Sequence, residues 1–312
     1  LEYAPADIRD RSPETPDPPA PHGPQGPVTA IVFNDPGCPF GYSANPALRT
    51  LEWRYRDQIV WHLVTIGLSD PDNPSGFGIA EQAASWIHFR DRYGMPFSAE
   101  PKSREFTTSR ACQAITASRL LHPGSEWRVL RTLQLLHFNS PLLLDDDSHL
   151  AAALDTVPGI DAAAVIAAID SEEARDAYRS DWTRSREAGT GPAWLQLKTA
   201  ESPEGPRYTA PSVIFSHGGR HLEIGGFQPI EAYDAAVANL NPGLNRVGPA
   251  GDPVQALRLY RTGLATQEIA AIMAGNLDSP DRSETERELT GLLAEGRVKR
   301  VPLGNDALWL AA

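Results

Sequence analysis

Sulfur is scarce in this sequence. Cys38 and Cys112 are its only cysteines in 312 residues, joined by two methionines. That excludes a disulfide framework and fits a reducing compartment. Positive charge is also short: 28 Lys and Arg face 40 Asp and Glu, a formal net charge of −12. Such a balance argues against broad binding to nucleic acid or to an anionic membrane. No apolar run nears the length of a membrane span. The N-terminal segment lacks the charged-then-apolar order of a signal peptide, so a cytoplasmic location is expected. No internal repeat is visible. Metal-ligand spacing is missing too: His217 and His221 flank a turn with no Cys or acidic partner nearby, which predicts exposed turn residues. Asp145-Asp146-Asp147 lacks the other ligands of a calcium loop. Neither a metal nor a covalently bound cofactor is expected.

Proline (28) and glycine (25) are abundant and punctuate the chain. Residues 1–26 are Pro-rich with few large apolar side chains, and read as an extended N-terminal arm. Residues 27–34 form a short apolar, β-branched run, the pattern of a buried strand. Asp35-Pro36-Gly37-Cys38-Pro39-Phe40-Gly41 follows, so a cysteine stands where the next helix should start. Pro46 interrupts that helix, which kinks or restarts there. Residues 58–68 predict a second strand. Strand, helix, strand with short joints is a βαβ unit with parallel strands.

Residues 79–188 turn helical, with start signals such as Ser171 before Glu172 and Glu173. Trp86, Phe89 and Tyr93 share one helix face, a core pattern. Strands are predicted at 193–199 and 208–215. Ser216-His217-Gly218-Gly219 then makes a hairpin turn, and Pro229 opens a helix. Residues 241–252 read as a linker. Residues 253–312 have the order of a winged helix: three helices, with Thr266 capping the second, then a hairpin. This last segment carries seven Lys and Arg against eight Asp and Glu, with Glu284, Glu286, Glu288 and Glu295 on its third helix. That is a poor surface for phosphates, and predicts a packing or dimerisation module rather than a nucleic-acid binder.

Chemistry centres on Cys38. A sulfur at a helix start faces unpaired N–H groups and the positive end of the helix, which favour thiolate. Pro39 suits the first helical turn. Asp35 is either a turn acid or a proton acceptor near the thiol, and Tyr42 and Ser43 are either hydrogen-bond donors in a cleft or packing residues. Cys112 reads from its helical neighbours as a core cysteine.

The order strand, Cys-Pro-x-x at a helix start, strand, helical insertion, then Ala210-Pro211-Ser212-Val213-Ile214-Phe215 and a hairpin resembles the DsbA-like thioredoxin-fold oxidoreductases. It is similar in particular to the branch of FrnE-type proteins, 2-hydroxychromene-2-carboxylate isomerases and kappa-class glutathione transferases. The resemblance covers about residues 27–240, including a Gly-x-Gln-Pro-like turn at Gly226-Phe227-Gln228-Pro229. It implies an α/β fold: a thioredoxin-like core (27–78 and 190–240) with a large helical insertion (79–189); the linker and the small winged-helix-like module read above lie beyond it. It also implies Cys38 as nucleophile and Pro211 as a cis-proline facing it, with Pro39, Phe40, Gly41, Tyr42 and Ala210 around the substrate or thiol. Thr108-Ser109-Arg110-Ala111-Cys112 echoes the branch's Asn-Thr-x-x-Ala-His, with Thr107 in the Asn place, Thr108 in the Thr place and Cys112 in the His place.

One departure governs the function. Gly41 stands where a dithiol oxidant has its second sulfur, so an internal pair is absent. Three routes remain. Glutathione, mycothiol or another small thiol resolves a mixed disulfide on Cys38. Cys38 activates a bound thiol for isomerisation or conjugation. Or Cys112 serves as the resolving thiol. The expected activity is a monothiol oxidoreductase acting on small-molecule or peptide disulfides; an isomerase or transferase, or a redox-inactive interaction protein, are the alternatives. No nucleic-acid or membrane partner is expected, and a homodimer stays open.

Overall fold

The structure is a computed structural model that describes residues 26–312. The arm expected at 1–26 therefore lies, apart from Gly26, outside the described residues. β1 (Val28–Asn34) is a central strand. Val28, Ala30, Val32 and Phe33 are all buried along it, which is why its sequence is a nearly continuous apolar run. α1 (Pro39–Ser43) is a single short turn of helix, and α2 (Asn45–Tyr55) starts afresh beyond Ala44 with Pro46 in its first turn. β2 (Ile59–Thr65) pairs with β1 in parallel, from Val28↔Ile59 to Asn34↔Thr65.

The helical layer holds α3 (Ile79–Tyr93), α4 (Ser109–Leu121), α5 (Glu126–Asn139), α6 (Asp147–Leu154), α7 (Ala162–Ala168) and α8 (Glu172–Ser185). The Ser171 hydroxyl accepts the Ala174 N–H at the start of α8, as its sequence signal implied. α4 packs on α8 and α5, and a core of Ile115, Leu133, Leu150 and Val165 fills the layer. Trp86 and Phe89 sit in a separate aromatic core with Tyr42, Phe97 and Phe138, at the junction with α1.

Residues 193–199 do not form the strand expected of them. α9 (Pro192–Leu195) is a helical turn opened by its proline, and only Thr199–Ala200 is extended, as β3. The run has no sheet to bury it: Leu197 is 89% exposed. β4 (Arg207–Tyr208) pairs with β3 alone. The strand expected at 208–215 starts later, as β5 (Ser212–His217), and β6 (Arg220–Ile224) returns beside it. α10 (Ile230–Leu240) closes this part. The sheet order is β2-β1-β5-β6, with β5 antiparallel to β1. His217 is buried, its Nδ1 within 3.1 Å of the Pro27 carbonyl; the pairing of β5 beside β1's start turns it inward, contrary to the exposed position expected.

The 241–252 segment is pinned to the end of α2. Val247 N–H donates to the Arg54 carbonyl at 2.8 Å, and Trp53 Nε1 donates to the Gly248 carbonyl at 2.7 Å. Beyond it come α11 (Pro253–Leu259), β7 (Leu264–Ala265), α12 (Thr266–Met273), α13 (Arg282–Ala294), β8 (Val298–Leu303) and β9 (Asp306–Ala311). Their sheet runs β7-β9-β8, all antiparallel. Ala265, not Thr266, is the N-cap of α12, because the Thr266 hydroxyl is engaged with Asp306 and Trp309. α12 packs against α2. Arg131 of α5 reaches Glu268 of α12 through two bonds of 2.6 and 2.7 Å, deep in the interface.

Candidate active site

Cys38 is the N-cap of α1. The end of β1 and the turn through Pro36 and Gly37 place it there. Its Sγ accepts the Gly41 N–H at 3.5 Å, and its thiol donates to the Ala210 carbonyl at 3.4 Å. The Ala210–Pro211 bond is cis. Sequence positions 172 apart are thus joined at the sulfur.

The charge state expected from the sequence is reversed. Cys38 is only 7% exposed. Burial pushes its pKa up to about 12, and the Asp35 charge adds to that. The Gly41 and Phe40 N–H groups and Arg207 pull the other way without offsetting it. A five-residue helix offers few aligned peptide dipoles, and the sulfur has lost most of its water. The resting sulfur is a thiol.

Position 41 has no room for a second sulfur. A Cβ built on Gly41 collides with Asn34 Oδ1, which is held in place by the Asp35 N–H at 2.8 Å. Gly41→Cys is therefore expected to lose about 1–3 kcal/mol of stability through overpacking and to leave both thiols free. The paired change Asn34→Ala with Gly41→Cys opens the space, and should let Cys38 form a disulfide with the introduced sulfur under an oxidising glutathione buffer. Thiol counts under denaturing conditions check both; a bond in the single variant would contradict the steric account.

Asp35 is the hub beneath the turn. It is fully buried, and accepts from Gly37 N–H (2.9 Å), Leu68 N–H (2.9 Å), the Thr108 hydroxyl (3.0 Å) and the Cys112 thiol (3.5 Å). Burial raises its pKa, and those four donors pull it back. Of the roles considered for Asp35, the turn role is present in the Gly37 bond; its other oxygen takes Leu68, Thr108 and Cys112 rather than the Cys38 thiol. Thr108 and Cys112 accordingly converge on Asp35, and both cysteines are free thiols. Burial and the Asp35 charge hold the Cys112 thiol well above its ordinary value.

The other residues implied by the resemblance divide between surface and core. Pro39 occupies the first turn of α1. Phe40 is 43% exposed and packs edge-on against Phe89, beside Tyr93 and Phe227, which leaves an aromatic face next to Cys38. Tyr42 is fully buried, stacked on Phe138, with its hydroxyl accepting from Asn139 Nδ2 at 3.2 Å. It anchors α1 to α5 and presents nothing to a cleft.

Sequence reasoning missed Asn34, which fills the space beside Gly41, and Arg207, whose charge acts on both Asp35 and Cys38. Arg207 stands three residues before Ala210, just outside the Ala210–Phe215 run that carries the resemblance. A cleft of about 1060 Å³ opens beside this region, lined by Leu68, Arg207, the β3–β4 connection and α8. Among the described residues no group of three or more His, Cys, Asp or Glu is placed to hold a metal ion.

No protein-family model matches the chain, and a search of curated proteins gives no significant match. Solved structures do match. The "putative protein disulfide isomerase from Nitrosomonas europaea" superposes with a TM-score of 0.51 at 17% identity, over 69% of this chain and 95% of that one. The cytosolic disulfide reductase DsbM from Pseudomonas aeruginosa, solved with GSH, superposes with a TM-score of 0.50 at 17% identity, over 68% of this chain and all of that one (100%). With its β2-β1-β5-β6 sheet, helical layer and Cys38 facing the residue before Pro211, this chain has the DsbA-like thioredoxin fold.

Proposed function

We propose that the chain is a thiol-disulfide oxidoreductase that works with one cysteine. The observation that carries this reading is the contact of the Cys38 thiol with the Ala210 carbonyl, which brings the helix-start sulfur to the Pro211 segment. Once its proton has left, Cys38 Sγ attacks one sulfur of a disulfide R–S–S–R′. The products are Cys38–S–S–R and R′–S⁻, which takes up a proton. A small thiolate then attacks the sulfur of R, forming a new disulfide with it and returning Cys38 as thiolate. Glutathione is the natural first co-substrate to test, since the DsbM structure was solved with GSH; mycothiol is the second. Cys112 is not given the resolving role, because its thiol is committed to Asp35.

The aromatic face of Phe40, Phe89, Tyr93 and Phe227 suits an apolar or peptide disulfide. The division into core, helical insertion, linker and C-terminal module is part of the proposal. The element order and β7-β9-β8 sheet of residues 253–312 support reading this module as winged-helix-like. We assign it to packing, since α12 is docked on α2 and α13 exposes Glu284, Glu286 and Glu288. No described helix is long and apolar enough to cross a membrane; a cytoplasmic location is part of the proposal, supported by the cysteine scarcity.

A second reading is favoured by the burial of Cys38 and the filled space at Gly41: a thioredoxin scaffold whose redox chemistry has decayed. One experiment separates the two. The protein is incubated with glutathione disulfide and its intact mass measured. The oxidoreductase reading expects one glutathione adduct, lost in Cys38→Ser, kept in Cys112→Ser and removed by added glutathione. No adduct at any pH up to the point of unfolding would leave the decayed scaffold. Thioether conjugates without disulfide turnover would move the assignment to a transferase.

A further inference from the structure

The cleft beside the Cys38 region has an unusual charge feature. Arg186 and Arg207 both line it, and among the described residues neither has a carboxylate within ion-pair distance. Arg207 donates only to the Tyr208 carbonyl, at 3.1 Å. Arg186 Nη1 donates to the Ile66 carbonyl at 2.5 Å, the Ser185 hydroxyl at 2.7 Å and the Trp182 carbonyl at 3.4 Å, Nη2 donates to the Gly67 carbonyl at 3.4 Å, and its buried Nε has no partner. It lies over the Trp182 ring at 4.0 Å. Burial lowers the proton affinity of Arg186 and the Arg207 charge lowers it further, so the two charges lie close enough to repel. In a chain with a net charge of −12, two half-buried cations lining one cleft with no carboxylate in direct contact are the exception. Four carboxylates also line the cleft; Glu204 acts on Arg186 through space, but none pairs with either arginine.

We propose that this cleft binds a small organic anion, whose carboxylate or phosphate group is held by the Arg207 fork with the Arg186 charge beside it. A planar guanidinium offers paired donors that fit either group. The volume, about 1060 Å³, admits a molecule well beyond an inorganic ion. Trp182 and Tyr178 supply the apolar wall for its body. This inference stands apart from the thiol chemistry, and holds whether or not Cys38 turns over.

Calorimetric titration of the full chain with citrate, and separately with inorganic phosphate, at matched ionic strength, tests it. Saturable one-to-one binding of at least one anion is expected, equally in Cys38→Ser. Arg207→Gln should weaken it by about tenfold or more, with the unfolding midpoint unchanged. Arg207→Lys keeps the charge but loses the fork, and should show a smaller loss; it decides the matter if the Gln variant does not fold. Failure of both anions to bind in the millimolar range, or wild-type affinity in both variants, overturns the proposal. Preference between citrate and phosphate tells a carboxylate ligand from a phosphate one.

Discussion

Iodoacetamide is expected to alkylate Cys38 in the folded protein about a thousandfold more slowly at neutral pH than in the unfolded chain. The reason is the thiolate fraction: a pKa of about 12 against an ordinary 9.0 separates the two states by three decades. Restricted access to a sulfur 7% exposed adds to the gap. Cys112→Ser leaves Cys38 as the sole thiol while keeping a hydroxyl for Asp35. In that variant the native rate should climb about tenfold per pH unit, with no plateau as far as the fold survives. A plateau below pH 9 would mean that the helix start outweighs burial. Stability carries the same signature. Between about 9 and about 12 the unfolded chain releases a proton that the folded chain keeps, so stability falls as pH rises through that window and is untouched below it. For the proposed oxidoreductase, turnover should follow the alkylation profile. A turnover plateau near neutrality, without one for alkylation, would show that bound substrate releases the proton.

Glu268→Gln is expected to cost about 3–5 kcal/mol, because it leaves the Arg131 guanidinium buried without its counter-charge. Glu268 is fully buried and Arg131 only 7% exposed, so little water is at hand to soften the loss. Glu268 also accepts the Ala265 N–H at 2.7 Å, and Arg131 donates to the Gly263 carbonyl at 2.9 Å, so the pair ties α5 to both ends of the β7–α12 joint. Replacing both residues by Leu and Met should recover only part of the loss, since those two backbone groups stay unpaired. Burial by itself would raise the Glu268 pKa; the Arg131 charge and hydrogen bonds, with Arg49, override it and hold the carboxyl below its ordinary value. The stabilisation is accordingly present above the ordinary carboxylate pKa, and is lost as pH falls through the lower, folded one. Urea midpoints at neutral pH and below about pH 4 measure both effects. A Glu268→Gln midpoint equal to wild type would show that this contact does not hold the C-terminal module in place.

Much of the architecture was readable residue by residue. The apolar run before Cys38, the break at Pro46 and the capping signal at Ser171 are local, and local sterics and hydrogen bonds decide them. The same holds for the missing sulfur at Gly41, a matter of composition. Segment 193–199 misled because an apolar run becomes a strand only if a sheet edge receives it; here Pro192 started a helical turn and the run stayed outside. His217 misled in the opposite sense, since the pairing of β5 with β1 turned it inward.

The sequence by itself determined which sulfur stands at a helix start, that it stands alone, and the α/β order around it. Tertiary structure decided the state of that sulfur: burial, the Asp35 charge and Arg207, brought in from the distant 207–211 segment together with the Ala210 carbonyl, set it, and Asn34 closes position 41. Desolvation and through-space charge depend on what distant parts of the chain place around an atom, and no local pattern contains that information.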